Sequence, residues 1–339
     1  MKQTFDAKLR LSSKNIEILQ RINAILEEYR KQGYKLTLRQ LYYQLVSRDV
    51  IPNKDSEYKK LSGILTKGRM AGVVDWDAIE DRLRVPYLPY YVNDVEEALK
   101  DTINHYRRDR QEGQDVMIEL WVEKDALSSV LKRITQKYHI RLMVNRGYSS
   151  TTAMHDAYER FSQHVDRFDD RGLDHLEAEE KVPTKSKVVV LYLGDHDPSG
   201  IDMVRDIRDR MLTFFHGEAV DNGELPDDDD WYKDAFKENY FDEVFKINRI
   251  GLTMNQIKRF NPPPNPVKLK DTRSEWYVKR YGETCWEVDA LNPQTLHEVV
   301  EDGIYEVMDD EQFKRIAQEE EEDKEELRRM MEKMRATKE

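Results

Sequence analysis

The stretch that decides the fold is Lys187-Val-Val-Val-Leu-Tyr-Leu-Gly-Asp-His-Asp-Pro-Ser-Gly200. Its near-continuous apolar run reads as a strand buried on both faces. In the loop that follows, Asp195 and Asp197 flank His196, and Gly200 permits a tight turn into the next helix. Three more apolar runs share the character of the first: 116–122, 140–144 and 245–252. Helix-like segments near 125–137, 149–163 and 200–215 lie between them. Strands alternating with helices imply a parallel sheet covered on both faces, an α/β fold. A charged insert at 166–187 and an acidic loop near 217–232 read as surface excursions. Asn261-Pro-Pro-Pro-Asn-Pro266 reads as a stiff extended connector. From about Asp310 the chain reads as a charged helix with little to bury.

The chemistry lies where the strands stop. The first run ends in Glu123 (Trp121-Val-Glu-Lys-Asp125), and 187–193 leads into Asp195 and Asp197. In open α/β sheets the carboxyl ends of parallel strands form the ligand crevice, so these three carboxylates are expected to converge. Hard oxygen ligands in that number suit Mg2+. The plainer reading of Asp-x-Asp-x-x-Gly is a turn in which Asp197 or Ser199 caps the following helix.

Upstream, Thr37 can cap a helix whose apolar residues Leu38, Leu41, Tyr42, Leu45 and Val46 form one stripe. Tyr42 lies on that stripe, whereas Tyr43 is rotated about 100° away and is expected to project outward, with Arg39 one turn before it on the same face. A turn at Ile51-Pro52-Asn53 precedes a second amphipathic stretch, 56–70, bearing Lys59, Lys60, Lys67 and Arg69. Gly72-Val73-Val74 and Trp76 then offer a short β wing. Helix, turn, basic helix and wing match a winged helix-turn-helix, a DNA-binding module.

The chain has 339 residues and a formal net charge of −12, enough length for about two domains. Three divisions follow: a winged-helix unit at 1–112, a parallel-sheet unit at 113–309, and a charged helical tail at 310–339. Net charge alone argues against a nucleic-acid partner, but it is an average. Residues 1–70 carry a surplus of eight bases, while 218–230 and 298–339 contribute −7 and −8. Cys285 is the only cysteine, and no pair among the eight histidines has zinc-ligand spacing. The longest apolar run, 188–193, is too short to span a bilayer, and the opening residues lack a signal-peptide core. The expectation is a cytoplasmic protein with no membrane association.

Glu123 after one strand and Asp195-x-Asp197 after a later one resemble the Toprim domain, the metal-binding fold of topoisomerases, primases and certain nucleases. The resemblance extends to Thr37-Leu-Arg-Gln-Leu-Tyr-Tyr43, which is similar to the active-site helix of the topoisomerase VI A subunit and the related meiotic double-strand-break transesterase. In that family the second aromatic of the pair is the nucleophile, here Tyr43. Asn145-Arg-Gly-Tyr-Ser149, Arg249-Ile-Gly-Leu-Thr253 and Glu287-Val-Asp-Ala-Leu291 look like its later motifs. Arg146 and Ser149 stand where the family has Lys and Pro.

The resemblance implies a stand-alone "mini-A"-like, type IIB topoisomerase-like enzyme, nucleoid-associated, that cleaves and religates double-stranded DNA with Mg2+ on Glu123, Asp195 and Asp197. It further implies a 5′-phosphotyrosyl link through Tyr43 and a homodimer in which the tyrosine of one protomer meets the metal of the other. Arg39 would hold the phosphate. Lys59, Lys60, Lys67 and Arg69 are candidate backbone contacts, and Lys124 and Arg146 candidates near the scissile strand. Strand passage would need a separate ATPase subunit, since no phosphate-cradling motif occurs here. Two alternatives stand beside this reading: a Toprim nuclease that hydrolyses DNA with metal-activated water, as in the Wadjet defence subunit JetD, and a non-catalytic DNA-binding subunit of a larger complex.

Overall fold

The computed structural model describes residues 2–6, 10–80, 88–165, 187–226 and 230–336. Its centre is a four-stranded sheet of β1 (Val116–Val122), β2 (Arg141–Val144), β3 (Lys187–Leu193) and β4 (Phe245–Gly251), all parallel and ordered β2-β1-β3-β4. Mixed α/β architecture with a parallel sheet is therefore present. All but the first residue of β1 and of β3 are buried, because helices cover both faces. Trp121, Val188, Val190 and Tyr192 point into a core with Met154, Phe161 and Phe215. Their neighbours Ile118, Leu120, Val189 and Leu191 point the other way, toward Leu131, Ile134, Leu296 and Val300. This period-two division explains why the strands read as unbroken apolar runs.

Helices α1 (Ser13–Lys31), α2 (Leu38–Ser47) and α3 (Asp55–Met70) enclose a separate core around Leu19, Ile22, Leu41, Leu45 and Leu61. Thr37 caps α2 as expected, in a capping box with Gln40. The expected wing is replaced. Gly72, at φ +72°, turns the chain after α3, Ala71 bridges to Thr4, and Trp76–Ala78 forms a 3₁₀ turn. Arg69 sets this path by donating to the carbonyls of Trp76 and Ile79, so no wing strands occur among the described residues.

Helix α4 (Val95–His105) leads into β1. After it come α5 (Ser128–Tyr138), α6 (Thr151–Ser162) and α7 (Pro198–Asp221), and then the short α8 (Asp230–Phe236) and α9 (Met254–Phe260). The charged insert lies outside the described residues except for Lys187, which begins β3. The acidic loop is partly helix, since 217–221 complete α7. The proline-rich connector ends in β5 (Asn265–Pro266), paired antiparallel with β6 (Thr284–Cys285); α10 (Ser274–Tyr281) lies between them. Helix α11 (Pro293–Tyr305) covers the sheet, and α12 (Asp310–Ala336) is the expected charged helix with little to bury, docking through Ile316 and Glu320, its buried residues. No helix among the described residues is long and apolar enough to cross a membrane.

Candidate active site

The sheet order places a topological switch point between β1 and β3, from which the chain moves to β2 on one side and β4 on the other. Val122 pairs with Leu193 at the ends of these strands, so Glu123 and Asp195 emerge side by side. The Glu123 Oε2 accepts from the Asp195 amide at 3.2 Å. Asp195 is 4% exposed; its Oδ1 accepts from the Val288 amide at 2.9 Å, and its Oδ2 lies 2.7 Å from Lys124 Nζ. Burial raises both carboxyls above their ordinary range, Asp195 well above. Asp197 caps α7, its Oδ1 accepting from the Gly200 amide at 2.7 Å. Gly200 is required here, since a Cβ would stand 2.4 Å from the Asp195 carbonyl oxygen.

A second group arrives from α2. The Tyr43 hydroxyl donates to Glu287 Oε2 at 2.6 Å, and the Arg39 guanidinium lies 3.5 Å from that hydroxyl. Arg39 also pairs with Glu287 and, through Nε, with Asp289 Oδ2 at 2.6 Å. Lys124 closes the network, with Nζ 2.8 Å from Glu287 and 3.4 Å from Asp289. Two cations and a phenol thus meet Asp195, Glu287 and Asp289. Burial opposes ionisation of Glu287, but Lys124 and Arg39 outweigh it and hold its carboxyl down to about 2. The Tyr43 phenol is pushed the other way, upward, by burial and then by Asp289 and Glu287. At neutral pH it is protonated and serves as a donor.

Tyr43 therefore does not project outward: it is 5% exposed, as is Tyr42. Both rings belong to the helical core and meet each other at 5.3 Å between centroids, but their hydroxyls go to different partners. Tyr42 packs against Tyr58 and bonds Asn53 within the three-helix unit, while the face bearing Tyr43 is covered by the 287–291 segment, which places Ala290 in the helical core. Within the chain the tyrosine thus meets Glu287.

Of the basic candidates, Lys59, Lys60 and Lys67 are exposed on α3, with Lys60 paired to Glu57. Arg146 is exposed in the loop after β2 at φ +53°, 3.5 Å from Asp125. Two others have their donors engaged within the chain. Arg69 is spent on backbone carbonyls and on the face of Trp76, and Lys124 is enclosed by three carboxylates whose charge it compensates. Sequence reasoning assigned no role to Glu287, Asp289 or Arg249, whose guanidinium donates to the Asp195 carbonyl. The signal for all three was their place in the motifs 249–253 and 287–291, which carry no role for the individual residues.

The three carboxylates suit Mg2+ by donor type. Among the described residues no hydrogen bond reaches Glu123 Oε1 or Asp197 Oδ2, and a cationic ammonium already rests on Asp195. They are not gathered to coordinating distance of one another. The one His/Asp/Glu trio so gathered among the described residues is His155, Asp156 and Glu159, exposed on α6. Comparison of the chain with protein-family models and with curated proteins gives no match.

Proposed function

We propose that the chain is a Mg2+-dependent DNA-cleaving transesterase resembling the topoisomerase VI A subunit, with Tyr43 as nucleophile, α1–α3 as a winged-helix-type unit and the parallel sheet as a Toprim-type unit. The observation that carries this reading is the meeting of the Tyr43 hydroxyl with Glu287, Arg39 and Lys124 beside the strand-end carboxylates. An ordinary surface tyrosine has no need of an acceptor carboxylate and two cations at once. A cavity of about 630 Å³ lined by Thr37, Arg39, Ser62, Thr66, Glu80 and Asp125 lies beside α2 and α3 and shares Arg39 with this site.

In the reaction the Tyr43 oxygen bonds to phosphorus as the P–O3′ bond breaks, leaving a 5′-phosphotyrosyl link and a free 3′-hydroxyl. The phenolic proton passes to Glu287, and the departing 3′-oxygen takes up a proton. A phosphodiester that draws Arg39 and Lys124 onto its oxygens removes the two cations that depress Glu287, and so raises its basicity when it is needed. Arg39 offers a planar fork to the phosphoryl oxygens. The chemistry that Mg2+ supplies when held by Glu123, Asp195 and Asp197 is stabilisation of the charge developing on phosphorus. Double-strand cleavage requires two such sites, as a C2 homodimer provides. Strand passage requires an ATPase subunit. A nucleoid-associated, cytoplasmic location follows from a DNA substrate.

One observation favours a second reading, hydrolysis by metal-activated water: Tyr43 is buried and its hydroxyl is already engaged by Glu287 at 2.6 Å. A denaturing gel of end-labelled duplex incubated with protein and magnesium separates the two. A covalent protein–DNA band that vanishes in Tyr43→Phe supports the transesterase. Nicking at the wild-type rate in that variant, with loss in Glu123→Ala, replaces it with the hydrolase.

A further inference from the structure

A cavity of about 820 Å³ opens between α5, the segment after α4 and α12. Arg107, Arg110, Arg133, Lys137 and Lys324 line it, and His105 and His139 add two imidazoles. No carboxylate is among the described residues lining it, in a chain of net charge −12. Beneath it Glu320, 1% exposed, binds Arg110 at 3.0 Å and also Lys324 and the Arg108 amide, with Arg107 3.8 Å away. One buried acid thus gathers three cations. Lys137 is paired with Glu301. Arg133 lies over Tyr34, Lys137 over Tyr138 and Arg110 over Phe313. The cationic heads are therefore held in place before any ligand arrives, which lowers the ordering cost of binding.

We propose that this cavity binds the polyphosphate group of a small molecule of the nucleoside triphosphate class. Its volume falls in the range of small-ligand sites, and its charge matches three or four phosphoryl negatives. Recognition rests on charge, because the ring faces nearest the cavity are already covered by Arg133, Lys137 and Arg110; the base contributes little. The cavity lies at the N-terminal edge of the sheet, beside Ile140 and the start of β2, roughly 15 Å along the strands from Glu123. It is a site apart from Tyr43 and does not depend on the reading given to that residue.

The test is calorimetric titration of the full chain with sodium tripolyphosphate, ATP, GTP and a twelve-nucleotide single strand, in EDTA so that the strand-end carboxylates hold no metal. Arg133 and Lys137 are exposed and leave the Glu320 platform intact, so Arg133→Gln/Lys137→Gln is the informative variant; circular dichroism checks its fold. Expected are one site per chain, affinities for the two nucleotides and tripolyphosphate within about threefold of one another, and at least a tenfold loss in the double variant. Glu123→Ala should bind as the wild type does. Absence of binding at millimolar tripolyphosphate, equal affinity in the double variant, or a preference of tenfold or more for the oligonucleotide overturns the proposal.

Discussion

At the scale of single residues, the site is a charge-balanced network, and its members have unequal roles. Lys124 offsets three carboxylates, two of them almost wholly buried. Lys124→Met should therefore cost about 3 kcal/mol, because Asp195 would lose the cation on its carboxylate while Asp289 keeps only Arg39; urea denaturation at neutral pH measures it, and an unchanged midpoint would show that water reaches Asp195. Tyr43→Phe removes one hydrogen bond to a charged acceptor, about 1–2 kcal/mol, and leaves the helix core in place. Its loss of covalent DNA adduct should consequently far exceed its loss of stability. Glu123, Asp195 and Asp197 could be read from sequence because a strand end announces itself by the residue at which the apolar run stops. Glu287 and Asp289 could not, since their importance comes from contact with a helix some 244 residues away.

Among the elements, α3 and α12 separate most clearly what charge does. Helix α3 presents Lys59, Lys60 and Lys67 to solvent, and if they contact phosphates each should contribute about one unit to the salt dependence of DNA affinity. The triple substitution to Gln should lower that slope by about three units in a filter-binding series at increasing salt; an unchanged slope would make them merely solvated. Helix α12 is held instead by one buried acid. Burial opposes ionisation of Glu320, but the hydrogen bonds from Arg110 and Lys324 prevail and hold its carboxyl at about 2, down from 4.5. A depressed carboxyl contributes stability that is fully present above its unfolded value and is lost as pH falls through its folded one. Glu320→Gln should therefore cost about 3 kcal/mol at pH 7, and the difference should shrink between pH 4.5 and 2. Denaturation curves at pH 7 and pH 3 decide this; an equal gap at both would detach the effect from ionisation.

In the whole molecule, α2 packs against the segment following β6, so each chain carries its tyrosine and its acidic network together. This arrangement has a consequence for a dimer. If the catalytic unit is one chain, mixing Tyr43→Phe and Glu123→Ala protein should restore no nicking, because neither chain holds a complete site. If the tyrosine works across a dimer, the mixture should nick, since one composite site would be intact. A plasmid-nicking assay of the mixed proteins, after exchange of subunits, distinguishes the two.

Sequence by itself determined the strands, the cap on α2, the helical pairing of Arg39 with Tyr43, and the carboxylates at the strand ends. All of these follow from local periodicity, from turn chemistry or from the place where an apolar run stops, and such signals lie within a few residues of the feature they specify. The tertiary structure alone decided that Tyr43 is buried against Glu287, that Lys124 and Arg69 meet acceptors of their own chain, that the wing is a 3₁₀ turn, and that α12 docks on Glu320. Each of those outcomes depends on which distant surface covers a helix face or neutralises a charge, and periodicity along one element carries no record of what packs against it.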